Sequence, residues 1–263
     1  MNIIQAPKSL YDKKYYEEDI KTTTLNLSPL PHSIADVILN LQPLKESDYV
    51  VDFGCGSGSL SILLHHFFRC KVLGIDYSQD AIDFCKKLHS DVCDAKVSFL
   101  CSDIDDLPML ENVTHVYLAD VVEHLYDNEL NKLLLIISKW NLNENFPLLI
   151  IHTDNNLYIK FFRPIVDLFM LLFCKTSFLE ICNRNAFEKP RHVNLMSPNQ
   201  LNKKLLKAGF SRLIIKYPEI TTDRFMSQFP QLVGNLFISK ILIFIYPVIK
   251  FFAPSFYTVY QKR

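Results

Sequence analysis

A glycine-rich segment, Tyr49-Val-Val-Asp-Phe-Gly-Cys-Gly-Ser-Gly58, restricts the fold of this chain more than any other stretch. The apolar run at residues 49–51 predicts a buried strand of a parallel sheet. The acid Asp52 follows, and three glycines then alternate with other residues before an apolar helix is predicted over residues 59–68. Glycine permits a sharp turn and lets a ligand approach the backbone closely. The strand, turn and helix therefore predict the first unit of a nucleotide-binding α/β fold.

Two further predicted strands also end in an acidic residue. The strand over residues 71–76 ends at Asp76, about 20 residues after the glycines, which is the spacing at which a carboxylate reaches ribose hydroxyls. Tyr77 comes next and is placed to lie along the ribose or adenine. The strand over residues 96–103 ends at Asp103. Because the carboxyl ends of parallel strands share one rim, these acids should line the ligand-binding edge of one sheet.

Two segments resemble a known enzyme family. The spacing Gly-x-Gly-x-Gly behind Asp-x resembles motif I of the class I S-adenosylmethionine (SAM) methyltransferases, whereas a dinucleotide site would read Gly-x-Gly-x-x-Gly. The run HVNLMSPNQLNKKLLKAGF, residues 192–210, resembles the last helix–strand unit of the ubiquinone-biosynthesis O-methyltransferases. The resemblance covers residues 45–152, residues 191–217 and the final strand. It implies a Rossmann-like α/β fold with a seven-stranded, mostly parallel sheet and an antiparallel last strand.

The same resemblance implies SAM as the cofactor. Asp103 would accept the adenine amino group, and Ile104 would pack on the adenine ring. The full set of predicted cofactor contacts is Asp52, Gly54, Cys55, Gly56, Gly58, Asp76, Tyr77, Asp103, Ile104 and Asp120.

Catalytic candidates are concentrated in Asp120-Val-Val-Glu-His124, after the predicted fourth strand. Methyl transfer needs an acceptor in line with the methyl group and a base that takes its proton. His124 and His192 are the candidate bases, since histidine accepts protons near neutral pH. In some members of the resembled family an acid-x-x-Glu-His sequence binds a divalent metal, which makes Asp120, Glu123 and His124 candidate metal ligands. The alternative is that Glu-His packs near the cofactor and no metal is bound.

The predicted domain organisation is one methyltransferase domain with additions. Residues 1–44 form an N-terminal arm and helix, and the arm is either loosely held or a flap over the cofactor. The domain spans residues 45–263 and carries two apolar insertions, at residues 153–190 and 218–252. The polar residues of each insertion fall on one arc at helical pitch, which is an amphipathic and not a transmembrane pattern. Each insertion is therefore either an internal lid or a surface that faces a membrane.

Composition bears on the partners and the compartment. Basic and acidic residues balance at 28 each, so no overall field attracts nucleic acid. The seven cysteines include no Cys-x-x-Cys pair, which predicts reduced thiols in the cytoplasm. Apolar residues make up 49% of the chain, with 20 Phe, and this favours a small, apolar or lipid-like acceptor and a peripheral site at the inner face of a membrane.

The predicted function is therefore SAM-dependent methyl transfer to such an acceptor, with O-methylation favoured. Two alternatives remain open at this point. One is a methyltransferase of the same fold that acts on RNA or protein, and the other is a binding module that has lost its activity. A NAD-dependent enzyme is disfavoured by the glycine spacing.

Overall fold

A computed structural model describes residues 41, 43–89, 96–140, 146–173, 177–218 and 250–263. Seven strands form one sheet within these residues, in the order β3-β2-β1-β4-β5-β7-β6. Their bounds are β1 (Tyr49–Phe53), β2 (Lys71–Asp76), β3 (Val97–Cys101), β4 (His115–Ala119), β5 (Leu148–Asp154), β6 (Phe210–Lys216) and β7 (Ser255–Lys262).

Strands β1 to β5 pair in parallel, and β7 runs antiparallel between β5 and β6. This confirms the predicted sheet and its antiparallel last strand. The strand order reverses next to β1, because β2 lies on one side of it and β4 on the other. The crevice at the carboxyl ends of β1 and β4 is where open α/β sheets bind ligands.

Helices cover both faces of the sheet. Their bounds are α1 (Ser59–Phe68), α2 (Gln79–Leu88), α3 (Asp127–Ile137), α4 (Arg163–Phe173), α5 (Phe178–Glu188) and α6 (Pro198–Lys207). The Ser78 side chain caps α2 by accepting a hydrogen bond from the backbone N–H of Ala81, and Ser197 caps α6 in the same way. Leu60 and Leu64 of α1 pack on one face, while α3 and α6 bury their leucines against the other face.

Strand β5 is longer at its carboxyl end than the sequence indicates. The apolar run predicts that it ends at His152, but it continues to Asp154, because β7 pairs with it as far as Asp154 opposite Ser255. The extension brings Thr153 and Asp154 to the rim, beside the end of β4.

The first predicted insertion contains a π-helical turn (Tyr158–Phe162) followed by α4 and α5. The second insertion lies almost wholly outside the described residues, as do the N-terminal arm and most of its helix. In the described part of the chain, no helix is long and apolar enough to cross a bilayer.

Candidate functional site

The glycine turn after β1 has backbone dihedral angles that other residues adopt only at a cost in conformational energy. Gly54, Gly56 and Gly58 have φ angles of 73°, 52° and 77°, in the left-handed region. A Cβ on Gly54 would lie 2.5 Å from Cγ2 of Val121, and one on Gly58 would lie 2.9 Å from the Phe99 ring. Both the conformation and the packing of the turn therefore require glycine at positions 54 and 58.

Asp76 fastens the end of β2 to this turn. Its Oδ2 accepts a hydrogen bond from the backbone N–H of Gly56 at 3.0 Å, and its Oδ1 accepts one from Ser78 at 2.9 Å. Burial raises the pKa of Asp76, and these backbone donors partly offset the effect. A carboxylate offers about four acceptor sites, so capacity for a ribose hydroxyl remains beside the backbone donors of residues 56, 77 and 78. The placement fits the role predicted for Asp76.

Asp52 is placed differently from the sequence expectation. Its side chain is 1% exposed and accepts a hydrogen bond from the Ser61 hydroxyl of α1 at 2.6 Å. Burial raises its pKa to about 6. Asp52 therefore joins β1 to α1 beneath the turn and does not present a carboxylate at the surface. Cys55 is likewise buried, with its thiol against that of Cys85.

The predicted adenine contacts lie after β2 and β3. Tyr77 is half-buried directly after β2. Asp103 precedes a short 3₁₀ turn (Ile104–Asp106), and its Oδ1 accepts a hydrogen bond from the Ile104 N–H at 2.7 Å. Ile104 is buried in the core cluster that includes Phe53 and Val121. These residues share the rim of the glycine turn, and their contact with a cofactor stays a prediction.

Asp120 follows β4 and has an unusual backbone conformation. Its φ angle is 55°, which is uncommon outside glycine although Asp and Asn tolerate it best. Its backbone N–H donates to the His152 carbonyl at 3.1 Å, and its Oδ1 lies 2.7 Å from Nδ1 of His152. The His152 ring stacks on Tyr257 with 4.4 Å between ring centroids. Such strained residues concentrate at functional sites.

The contact between Asp120 and His152 favours the charged forms of both side chains. Burial by itself would lower the pKa of His152, but the adjacent Asp120 carboxylate overcomes this and raises it. Loss of hydration would raise the pKa of Asp120, but the His152 ring holds it below the usual value. The pairing therefore favours the protonated form of His152, which makes this residue a poorer candidate for a base than His124.

The surroundings of Glu123 favour the neutral form of its carboxyl group. The side chain is buried, and its Oε2 accepts a hydrogen bond from the Thr153 hydroxyl at 2.7 Å. Burial, reinforced by the charges of Asp120 and Asp154, raises the pKa of Glu123 to about 8. Its backbone carbonyl accepts a hydrogen bond from the N–H of Asn194 at 2.9 Å, which ties the end of β4 to the segment before α6.

His124 and His192 form a pair of neutral rings, 5.1 Å apart between centroids. Burial lowers the pKa of both. Nδ1 of His124 lies 2.9 Å from the Arg191 carbonyl, so in the neutral ring Nδ1–H donates to that oxygen and Nε2 is the basic nitrogen. Nδ1 of His192 lies 3.6 Å from Oδ2 of Asp154, a carboxyl whose pKa burial raises to about 6.

The predicted metal ligands do not fit a metal in this arrangement. Asp120 is paired with His152, and the buried Glu123 carboxyl accepts a hydrogen bond from Thr153. Among the residues that the structure describes, no group of three or more His, Cys, Asp or Glu side chains could hold a metal ion. The set that the resemblance implied is therefore not assembled as a metal centre.

The sequence reasoning did not find His152, Thr153 or Asp154. The signal was available, because they are the polar residues at the end of a predicted apolar strand. The same rule had identified Asp52, Asp76 and Asp103. Applied to the fifth strand, it would have added the partner of Asp120.

Comparison with known proteins agrees with the fold. A family model described as a methyltransferase domain matches residues 50–140. The (S)-coclaurine N-methyltransferase of Papaver somniferum is 24% identical over 127 residues, which cover 48% of this chain and 34% of that protein. The ubiquinone biosynthesis O-methyltransferase of Bradyrhizobium diazoefficiens is 33% identical over 78 residues, 30% of each chain. This chain therefore spans about a third of the length of the curated relatives that it matches.

Solved structures lead to the same fold. The geranyl diphosphate C-methyltransferase of Streptomyces coelicolor A3(2), in complex with Mg²⁺, geranyl diphosphate and S-adenosyl-L-homocysteine, superposes with a TM-score of 0.57 at 17% identity. The match covers 92% of this chain and 84% of that chain. The resemblance to class I SAM methyltransferases is confirmed by the domain match, the relatives and the fold together.

Proposed function

We propose that this chain, which has the class I methyltransferase fold and a methyltransferase domain over residues 50–140, transfers a methyl group from SAM to a small-molecule acceptor. One contact carries the proposal: Gly54 of the glycine turn packs directly against Val121, in the segment from Asp120 to His124. The predicted cofactor site and the candidate base are therefore adjacent at the crevice between β1 and β4.

The residues at this crevice fit SAM. The glycine turn has no Cβ at its three glycines, Asp76 has acceptor sites left over, and Asp103 lies after β3. We propose that Asp76 holds the ribose and that Asp103 and Ile104 hold the adenine. When bound, SAM supplies an electrophilic methyl group on a sulfonium sulfur.

The protein's own chemistry in this proposal is to orient the acceptor and remove its proton. Nε2 of His124 takes the proton, because the ring is neutral and the Arg191 carbonyl fixes the other nitrogen as a donor. His192, beside it, is the second candidate base. The pair of Asp120 and His152 would hold the strained end of β4 in position.

We further propose an apolar or lipid-like acceptor that carries a hydroxyl group. A hydroxyl must lose a proton during the transfer, which the neutral His124 can accept. Apolar side chains lie exposed on the insertion that follows β5, among them Phe161 and Ile165. We propose the cytoplasm as the compartment, since the five described cysteines are free thiols.

The test is an unbiased transfer assay. The protein is incubated with methyl-labelled SAM and separately with a lipid extract, a water-soluble metabolite extract, RNA and protein. We expect the label in the lipid extract, and a loss of about 10²–10⁴-fold in rate for His124→Ala, as is usual for a removed acid–base group.

The matched control is His66→Ala, because His66 is an exposed histidine on α1. This variant should keep the wild-type rate, and both variants should bind SAM as the wild type does. Label on RNA or protein would support the alternative acceptors instead. SAM binding without transfer to any fraction would identify a binding module.

A further inference from the structure

An apolar stripe runs along the insertion that follows β5. Phe161, Ile165, Leu168 and Leu172 are spaced by four, three and four residues and are 60%, 63%, 56% and 66% exposed. This spacing places all four on one side of a helix. On α5, Phe178 and Leu179 add 69% and 67% exposed side chains. Contiguous exposed apolar surface of this kind marks a site of interaction.

The opposite side of α4 is polar and is fastened to α5. Nη2 of Arg163 lies 2.5 Å from Oε2 of Glu188, and Nη2 of Arg184 lies 2.5 Å from Oδ1 of Asp167. Arg163 and Asp167 are four residues apart and share one face of α4, away from the stripe. The two ion pairs therefore hold the polar sides of the helices together and leave the apolar stripe on the outside.

The charge of this region is positive, although the whole chain is neutral. Residues 158–192 contain six basic and three acidic residues, against a net charge of zero for the chain. Asp167 and Glu188 are neutralised by their arginine partners. Lys160, in the middle of the π-helical turn, and Lys189, directly after α5, are both exposed. A surface that combines an apolar stripe with exposed lysines is complementary to anionic lipid headgroups.

We propose that this surface, defined as Phe161, Ile165, Leu168, Leu172, Phe178 and Leu179 with Lys160 and Lys189, docks on an anionic membrane. α4 has 11 residues, about 16 Å at 1.5 Å per residue, which is too short to span a bilayer but suits a helix that lies in its interface. The docking itself does not depend on methyl transfer.

The position of the surface gives the docking a consequence for the site. The insertion leaves β5 at the rim, just after Asp154, and the Glu188 carbonyl at the end of α5 accepts a hydrogen bond from the His192 N–H at 3.0 Å. The insertion that carries the docked face therefore adjoins His192 and, through the contact of the two rings, His124. A bilayer in this place could deliver a lipid-like acceptor to the candidate base.

Binding to vesicles tests the proposal. The full chain, without SAM, is sedimented with vesicles of phosphatidylcholine, with or without phosphatidylserine, at low and high salt. We expect co-sedimentation with the phosphatidylserine vesicles. Binding should be weaker at high salt, because salt screens the attraction between the lysines and the anionic headgroups. Leu168→Asp with Leu172→Asp should reduce binding at least about tenfold, since an aspartate is disfavoured at an apolar interface.

Two matched controls separate the surface from general effects. Leu135→Asp with Leu213→Asp changes two leucines on α3 and β6 that are also more than half exposed, and it should leave binding unchanged. Lys160→Glu with Lys189→Glu should abolish the preference for phosphatidylserine, whereas Lys203→Glu with Lys207→Glu on α6 should not.

The proposal is overturned if the wild type stays in the supernatant, or if the stripe variant and its leucine control bind alike. Equal binding to both vesicle types would refute the anionic preference. A dimer in solution that the stripe variant abolishes would assign the surface to a second copy of the chain. SAM binding by the same variants is measured by calorimetry, so that a loss of docking can be told apart from a loss of cofactor binding. The proposed methyl transfer can fail while the docking proposal holds.

Discussion

Nδ1 of His152 on β5 lies 2.7 Å from Oδ1 of Asp120, the residue after β4 that has a φ angle of 55°. The two residues are neighbours only because β4 and β5 pair in parallel, with Ala119 opposite His152. The pair joins the strained end of β4 to the next strand and fixes the direction in which the segment from Asp120 to His124 leaves the sheet.

Replacing Asp120 by Asn should lower the pKa of His152. The raising influence of the carboxylate is removed, while burial of the ring, which lowers the pKa, remains. Asn tolerates the left-handed backbone, so the fold should persist. NMR titration of the imidazole resonances measures this, with Asp127→Asn on α3 as the control. An unchanged His152 pKa in the Asp120 variant would show that the ion pair does not form in solution.

Replacing Asp76 by Ala should weaken SAM binding by about 1–3 kcal/mol, roughly 5- to 150-fold, which is the usual cost of leaving hydrogen-bonding partners unpaired. The variant loses both the acceptor for ribose hydroxyls and the bond to the Gly56 N–H. Isothermal calorimetry provides the measurement. Asp83→Ala, an exposed acid on α2 bonded to Gln79, should bind SAM normally. Equal affinity of the Asp76 variant and the wild type, or a preference for NAD, would count against the cofactor assignment.

Replacing Gly54 by Ala should destabilise the protein more than replacing Gly209 by Ala. Both positions have φ in the left-handed region, at 73° and 88°, so both variants incur about 1–2 kcal/mol of backbone strain. Only at Gly54 does the new Cβ also meet a neighbour, Cγ2 of Val121 at 2.5 Å, because nothing lies within 4 Å of a Cβ on Gly209.

A second substitution, Val121→Ala, should therefore relieve the steric clash of the new Cβ at position 54. The backbone strain of that position should remain. Urea unfolding of the two single variants, the double variant and Gly209→Ala completes the comparison. Additive effects of Gly54→Ala and Val121→Ala would mean that the turn does not rest on Val121.

Replacing Glu123 by Gln should make stability less dependent on pH. The folded pKa of about 8 exceeds the ordinary 4.5, so the folded state holds this proton more tightly. This contribution to wild-type stability is complete below pH 4.5 and is lost as the pH rises towards 8, by at most about 1.4 kcal/mol per pH unit. Gln is neutral throughout and still offers an oxygen to Thr153.

The variant should therefore gain stability relative to the wild type between about pH 5 and about pH 8. Urea unfolding at several pH values measures the difference, and Glu111→Gln, an exposed glutamate, should show none. A constant difference between the Glu123 variant and wild type across this range would show that Glu123 is ionised in the folded protein.

The sequence by itself determined the parts of the protein that depend on local patterns. β2 and α1 have the predicted bounds, because an apolar run or a glycine turn acts within a few residues along the chain. The parallel direction of the first five strands follows from the connections between them, which are too long for hairpins. The acids at the carboxyl ends of the first three strands could be placed on one rim for the same reason.

Only the tertiary structure decided what the rim residues do chemically. Asp52 turns inward to Ser61, Asp120 pairs with His152, and the tautomer of His124 is fixed by Arg191, which is 67 residues away. A pKa depends on burial and on charges that are near in space. The sequence therefore predicts Glu123 as a metal ligand, whereas in the fold its burial favours the neutral acid. Spacing along a chain predicts which side chains reach a rim, whereas their partners and protonation depend on which strands pair.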